Sequence, residues 1–232
     1  NDECGSLYPE RIASKVKELR ADVGIALDGD ADRVTLVDDR GEILDGDLLM
    51  WLCARDMQQR GKLKGDGVVA TVMSNLGLET ALADLGLKLV RTAVGDRYVV
   101  EEMRRGDYNL GGEQSGHIVM TDFATTGDGL LAGLQILTAM RERDQPLSAL
   151  GRVFEPLPQR LKNCRLNGGK PLEDGEVQRC IEAANDRLKG HGRLLVRPSG
   201  TEPLIRVMVE ADDETLLSNV LAEVSDCIQR HA

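Results

Sequence analysis

Aromatic residues are scarce in this 232-residue chain, at 3%, so its cores must be assembled from Leu, Val, Ile and Ala. Basic charge is also short. Lys and Arg number 29 against 39 Asp and Glu, for a formal net charge of −10. That balance argues against nucleic acid or an anionic membrane as a partner, since both want a basic face. It leaves room for a small anion, which a few local Arg residues can hold. No apolar run approaches the roughly 18 residues of a membrane-spanning helix, and no signal-peptide pattern is present. The five cysteines (Cys4, Cys53, Cys164, Cys180 and Cys227) are odd in number, widely spaced and without a Cys-x-x-Cys pair. Free thiols in a reducing cytoplasm are the expected state. Internal repeats and low-complexity tracts are absent. An initiator Met is absent too, and the abrupt opening Asn-Asp-Glu-Cys-Gly-Ser suggests a processed or truncated polypeptide.

What is present is ample apolar and charged material, 41% and 29%, in a length sufficient for more than one domain. The patterning predicts a helix over 9–19, strands over 23–27 and 34–37, and a helix from Asp47 to about Arg60 ended by Gly61. A strand at 68–73, a helix at 76–85, a strand at 88–92 and a helix at 96–105 closed by Gly106 follow. Strands near 108–111 and 117–121 and a long helix over 127–143 complete this part. The order implies an α/β domain with a mixed sheet. Pro146, Pro156 and Pro158 mark a change. After them come a strand (158–166), a helix (174–189), two strands (193–197 and 203–209) and a helix (213–229). That order fits a small α+β domain with its helices on one face of an antiparallel sheet.

Three loops carry chemistry. The first, Asp28-Gly29-Asp30-Ala31-Asp32-Arg33, follows the apolar strand 23–27. Carboxylates at i, i+2 and i+4 would share one face of an extended segment, and their repulsion is relieved by a hard divalent cation such as Mg²⁺. The loop would lie at the carboxyl end of a strand, where open α/β sheets keep their sites. A solvated acidic turn is the bland alternative. An EF-hand does not fit, because its sixth and twelfth positions would be Arg33 and Asp39.

The second loop is Gly111-Gly112-Glu113-Gln114-Ser115-Gly116-His117. Its glycines allow close backbone approach to a ligand, and Glu113 and Ser115 suit the hydroxyls or amine of a sugar. An exposed glycine-rich hairpin is the alternative, and His117 is more often a packed residue than a catalyst. The third loop, Arg197-Pro198-Ser199-Gly200-Thr201-Glu202-Pro203, is followed by Arg206. Two Arg forks, two hydroxyls and a glycine that lets backbone N–H groups form a nest suit a phosphate monoester.

Together, and in this order, the three loops resemble the metal-, sugar- and phosphate-binding loops of the α-D-phosphohexomutases. The resemblance extends over essentially the whole chain. Thr71–Leu78, Val94–Val99 and Thr125–Gly129 are most similar to the bacterial members that act on glucosamine phosphates. It implies interconversion of glucosamine 6-phosphate and glucosamine 1-phosphate through a phosphoserine and a glucosamine bisphosphate intermediate. That step feeds UDP-N-acetylglucosamine and peptidoglycan precursor synthesis. It implies Asp28, Asp30 and Asp32 as Mg²⁺ ligands and Arg33 as support for the transferring group, with His117 a weaker candidate for proton transfer. It implies Glu113 and Ser115 as sugar readers, and Arg197, Ser199, Gly200, Thr201 and Arg206 as the clamp on the other phosphate.

The family's nucleophilic serine loop is absent from this sequence. Family order makes residues 1–40 the end of a truncated metal-loop α/β domain, 41–152 the sugar-binding α/β domain and 153–232 the phosphate-binding α+β domain. The chain by itself is therefore expected to be inactive. Exposed edges of a part-domain invite self-association, a homodimer being its simplest form. The same loops also suit a phosphomannomutase or phosphoglucomutase, or a non-catalytic sugar-phosphate-binding fragment. An aspartyl phosphatase reading of Asp28 or Asp30 leaves the third loop without a role.

Overall fold

The computed structural model describes residues 3–200 and 202–232. The chain divides into two compact units, Asn1–Glu155 and Pro156–Ala232. In the first unit the order is α1 (Glu10–Leu19), β1 (Val23–Leu27), β2 (Val34–Asp38), β3 (Ile43–Leu44), α2 (Gly46–Gln59), β4 (Gly67–Thr71), α3 (Leu76–Asp84), β5 (Lys88–Thr92), α4 (Asp96–Gly106), β6 (Leu110–Gly112), β7 (Ile118–Met120), α5 (Gly129–Arg143) and α6 (Leu147–Leu150). The second unit holds β8 (Gln159–Arg165), α7 (Gly175–Leu188), β9 (Gly192–Pro198), β10 (Leu204–Ala211) and α8 (Glu214–Arg230).

Helix starts are set by side-chain caps. Asp45, Asn75, Asp128, Asp174 and Asp213 each accept a hydrogen bond from a backbone N–H in the first turn of α2, α3, α5, α7 and α8. Each such cap stabilises its helix by about 1 kcal/mol. The expected stop at Gly106 is different in kind. The left-handed residue closing α4 is Asp107, at φ 54°, while Gly106 stays helical and a Cβ there would run into the Tyr108 ring. Gly106 is thus a packing glycine.

Two sheets build the first unit. One is antiparallel, in the order β1-β2-β3. The other runs β5-β4-β6-β7, with β4 parallel to β5 and β6, and β7 antiparallel to β6. This is the mixed sheet the element order implied. Strand β4 is buried at every position, as a central parallel strand should be. Val68 and Ala70 join the main core with Leu49, Leu52, Leu78 and Ile136 of α2, α3 and α5. Val69 points the other way, onto Val99 and Met103 of α4. The hairpin β1–β2 is sandwiched likewise. Leu36 enters the main core, and Val37 packs on Ala13 and Val16 of α1. Strand β3 and helix α6 went unforeseen because two and four residues are too short to show a period.

The second unit is an antiparallel sheet in the order β8-β10-β9, with α7 and α8 packed on it and on each other. Ile205, Val207, Val209 and Ala211 of β10 face the helices, so Leu204, Arg206, Met208 and Glu210 take the opposite face. Among the described residues no helix is long and apolar enough to cross a membrane. All five cysteines are free thiols.

Candidate functional site

The acidic loop joins β1 and β2 of an antiparallel hairpin. It follows the carboxyl end of β1, as expected, but in a small antiparallel sheet and not an open α/β sheet. Nor does strand alternation align its carboxylates. The chain turns here, with Ala31 in the left-handed region at φ 62° and its N–H donating to Asp28 O at 3.2 Å. The turn gathers one carboxylate oxygen each of Asp28, Asp30 and Asp32 within 4.8 Å of one another. Arg33 N–H donates to Asp28 Oδ1 at 3.1 Å, which fixes that carboxylate. Burial and the neighbouring Asp28 carboxylate push the Asp32 pKa up, while His117 acts in the opposite sense. Asp32 Oδ1 is buried and has no hydrogen-bond partner. A crowded all-oxygen donor set with an orphaned buried oxygen fits a hard divalent cation.

Backbone contacts weld the acidic loop to the second loop. Arg33 and His117 form an antiparallel bridge, and Val34 N–H donates to Gly116 O at 3.1 Å. Gly116, at φ +90°, is required there, because a Cβ would overlap Val34 O. Gly129 N–H, opening α5, donates to Ala31 O at 2.9 Å. The His117 ring is buried, with Nε2 3.6 Å from Asp32 Oδ2 and Gly127 against its face. It therefore faces the acidic loop. Gly111 and Gly112 are buried strand residues pressed against Val69 O and His117 O, so their small size serves sheet packing, not ligand approach.

An open cleft of about 420 Å³ lies beside these loops. Arg33, Glu113, Gln114 and Ser115 line it together with Thr71, Met73 and Val94. Glu113 Oε1 accepts from Gly95 N–H at 3.1 Å, so one carboxylate oxygen is held at the start of α4. Arg33 Nε lies 3.8 Å from Asp28 and 3.9 Å from Asp32, close enough for attraction but too long for a hydrogen bond. Thr71, Met73 and Val94 were not singled out as site residues. The only sequence signal was their place in two of the three stretches that carry the narrower family resemblance.

In the second unit the third loop turns between β9 and β10. Arg197 and Arg206 are direct cross-strand partners. Like charges placed so are destabilising unless an anion lies between them. Burial and Arg206 together lower the Arg197 pKa. Arg206 is held by Glu202 at 3.1 Å, and its Nε is buried without a partner. The expected nest differs. Ser199 N–H is spent on Leu204 O at 2.8 Å, and Gly200 is outside the left-handed region with open space where a Cβ would stand. The Arg197 and Arg206 guanidinium groups remain as candidate anion donors beside this turn. Thr201 lies outside the described residues.

Behind the cleft, Asp47 is a buried carboxylate whose Oδ2 accepts from Asn75 N–H at 2.7 Å. Burial, then the nearby Asp45 carboxylate, pushes its pKa up to about 7 from 3.8. Between these two values the folded chain binds more protons than the unfolded one. The stability Asp47 contributes is therefore present at low pH and is lost as pH rises through about 7. Asp47→Asn removes that dependence. Thermal melts should show the variant gaining on the parent by about 2–3 kcal/mol between pH 5 and pH 8. A parallel response of the two proteins would contradict the assignment.

A hairpin acidic loop is thus welded to the glycine-bounded Glu113–Ser115 loop in the first unit, and the second unit is an arginine-bearing α+β fold. Residues 45–157 match the family model for phosphoglucomutase/phosphomannomutase alpha/beta/alpha domain III, and residues 161–226 match that for the C-terminal domain. The chain belongs to the phosphoglucomutase/phosphomannomutase family. It is 56% identical over 232 residues to a phosphoglucosamine mutase of Phenylobacterium zucineum, covering 100% of this chain and 52% of that protein. It is 58% identical over 228 residues to that of Brucella ovis, covering 98% and 51%. The chain thus spans about half the length of the curated relatives it matches. Aspergillus fumigatus N-acetylphosphoglucosamine mutase, solved with GlcNAc-6P and magnesium, shares the fold at TM-score 0.76 and 22% identity, over 99% of this chain and 53% of that one. A Burkholderia thailandensis phosphoglucomutase/phosphomannomutase family protein does so at TM-score 0.75 and 21%, over 98% and 51%.

Proposed function

We propose that this chain is the C-terminal part of a phosphosugar mutase that interconverts glucosamine 6-phosphate and glucosamine 1-phosphate. The observation that carries the reading is the welding of the three-carboxylate loop to the Glu113–Ser115 loop beside one cleft, through the Arg33–His117 bridge. The identity of 56–58% to phosphoglucosamine mutases supports the glucosamine substrate.

Asp28, Asp30 and Asp32 would hold Mg²⁺, which when bound supplies Lewis-acid neutralisation of a transferring phosphoryl group. Arg33, on the cleft wall, adds a fixed cation for the same oxygens. His117 keeps Asp32 in place from behind, and proton transfer by its buried ring is the weaker role. Glu113 and Ser115 read the sugar's hydroxyl and amine edge. Arg197 and Arg206, with Ser199, Gly200 and Thr201 around the turn, bind a phosphate group as a bidentate anion clamp. The nucleophilic serine belongs to a loop that this sequence does not contain.

The start of the domain III match at residue 45 supports reading residues 1–40 as the end of the preceding family domain, with 41–152 and 153–232 as the next two. The free thiols support a cytoplasmic location. Leu19 and Ile43 are exposed apolar residues through which two copies could pair as a homodimer.

Calorimetric competition tests the reading. Glucosamine 6-phosphate should bind more tightly than mannose 6-phosphate or glucose 6-phosphate. A preference for mannose 6-phosphate would transfer the chain to the phosphomannomutase branch. Given glucosamine 6-phosphate and a bisphosphate activator, the chain alone should show no turnover above background. Turnover at the level of an intact mutase would sink the claim that a serine loop is required.

A further inference from the structure

The tripeptide Asp45-Gly46-Asp47, which opens α2, touches both walls of the cleft from behind. On the sugar-loop side, Gly46 N–H donates to Gln114 O at 3.0 Å, and the Gln114 side chain lies near enough to the Asp45 carboxylate to oppose the rise in pKa that burial causes there. The approach is so close that a Cβ on Gly46 would overlap Glu113 O and press on Gly116 N at 2.7 Å and Gln114 O at 2.8 Å. All three are backbone atoms, which cannot step aside as a flexible side chain can. On the opposite side, Asp47 Oδ2 takes Asn75 N–H at 2.7 Å. Asn75 ends the segment 71–75 that supplies Thr71 and Met73 to the cleft. Arg91 finishes that wall by donating to Ser74 O at 2.7 Å while Glu79 holds its guanidinium at 3.0 Å.

We propose that the Asp45-Gly46-Asp47 turn is a positioning clamp that sets the distance between the Glu113–Ser115 loop and the Thr71–Met73 wall, and so the fit of the cleft to its sugar. None of the three residues lines the cleft. They act through Gln114 and Asn75. The clamp rests on the sugar-phosphate reading only for the identity of the ligand. Asp45 also caps α2 by accepting from Asp47 N–H and Leu48 N–H, so one helix start orders both walls. The charged groups facing Asp47 are Asp45 on its own element and Arg91 from β5, itself paired with Glu79 of α3.

The test uses the whole chain in three variants, Gly46→Ala, Asp47→Ala and Asp47→Asn, with backbone amide NMR and calorimetry with glucosamine 6-phosphate. Gly46→Ala should shift the amides of residues 113–116 and lower affinity tenfold or more, with the β9–β10 hairpin spectrum unchanged. Asp47→Ala should shift residues 71–75 and lower affinity. Asp47→Asn keeps an acceptor for Asn75 N–H and should restore near-parental affinity. In the parent, Asn75 and Gln114 amides should move between pH 6 and pH 8, and Asp47→Asn should abolish the movement. If Gly46→Ala unfolds the first unit, the Asp47→Ala and Asp47→Asn pair decides. Unchanged loop amides in Gly46→Ala, or equal behaviour of Asp47→Ala and Asp47→Asn, would overturn the clamp. A parent that binds no sugar phosphate would instead defeat the proposed function, and the ligand-free amide shifts would still judge the clamp.

Discussion

Asp30→Asn is expected to weaken Mg²⁺ binding on the order of 100-fold, with the fold intact. Asp30 is the exposed member of the three carboxylates, so its loss leaves no buried group stranded. Asp28 also fixes Arg33 N–H, and Asp32 is the partly buried neighbour of His117, so changes there would disturb the hairpin as well. Saturating cation provides a second reading of the same effect. At a hundred times its dissociation constant, a ligand stabilises the state that binds it by about 2.7 kcal/mol. For a unit of this size that is a rise in Tm of roughly 5–10 °C. The parent should show the rise with Mg²⁺ and Asp30→Asn should lack it. In the absence of cation the sign reverses. One carboxylate fewer relieves repulsion, and the variant should melt slightly higher than the parent. Equal Mg²⁺ affinity in the two proteins would reduce the cluster to a solvated acidic turn.

Arg197→Ala is expected to move binding and stability in opposite directions. A charge-assisted hydrogen bond to phosphate contributes about 1.5–3 kcal/mol, so affinity for glucosamine 6-phosphate should fall roughly 10- to 200-fold. Stability of the second unit should rise by about 0.2–1 kcal/mol, because Arg197 and Arg206 are direct cross-strand neighbours with like charge. The lowered pKa of Arg197, caused by burial and by Arg206, points to the same unfavourable placement. Arg197→Lys should recover part of the affinity, since it keeps the charge but loses the planar fork. Glucosamine itself, without phosphate, should not distinguish the parent from either variant. A loss of stability together with unchanged affinity would assign Arg197 to the scaffold of the hairpin.

Local signals made most of the fold legible. Strand β1 falls on the predicted residues 23–27, and α3 and α4 start at Leu76 and Asp96, where the patterning placed them. These signals are local in sequence, which is why they survive reading without coordinates. The acidic cluster was legible as a group, but the reason for its convergence was not. The spacing suggested alternation along a strand, whereas a left-handed Ala31 folds the loop on itself. That conformation is unusual for a residue with a Cβ, and no sequence rule points to it. The third loop was legible in its two arginines. The nest was not, because Ser199 N–H has a hairpin partner that only strand register reveals.

The cleft wall was the least visible part. Met73 and Val94 sit in ordinary apolar contexts, and Gly46 reads as one more glycine beside a helix. Their importance comes from what the fold places across from them, tens of residues away in sequence. Asp47 shows the same limit. It reads as an acidic residue in the first turn of a helix, a favourable spot for negative charge. Burial and the nearby Asp45 carboxylate push its pKa up to about 7 instead, although the Asn75 N–H acts in the opposite sense.

The most direct measurement is an amide NMR titration of the whole chain with glucosamine 6-phosphate in the presence of Mg²⁺. The account predicts two sets of shifted resonances. One set comprises residues 28–33 and 113–116, and the other the residues flanking the β9–β10 turn, including Arg197 and Arg206. Millimolar sugar phosphate that leaves both sets unmoved would contradict it.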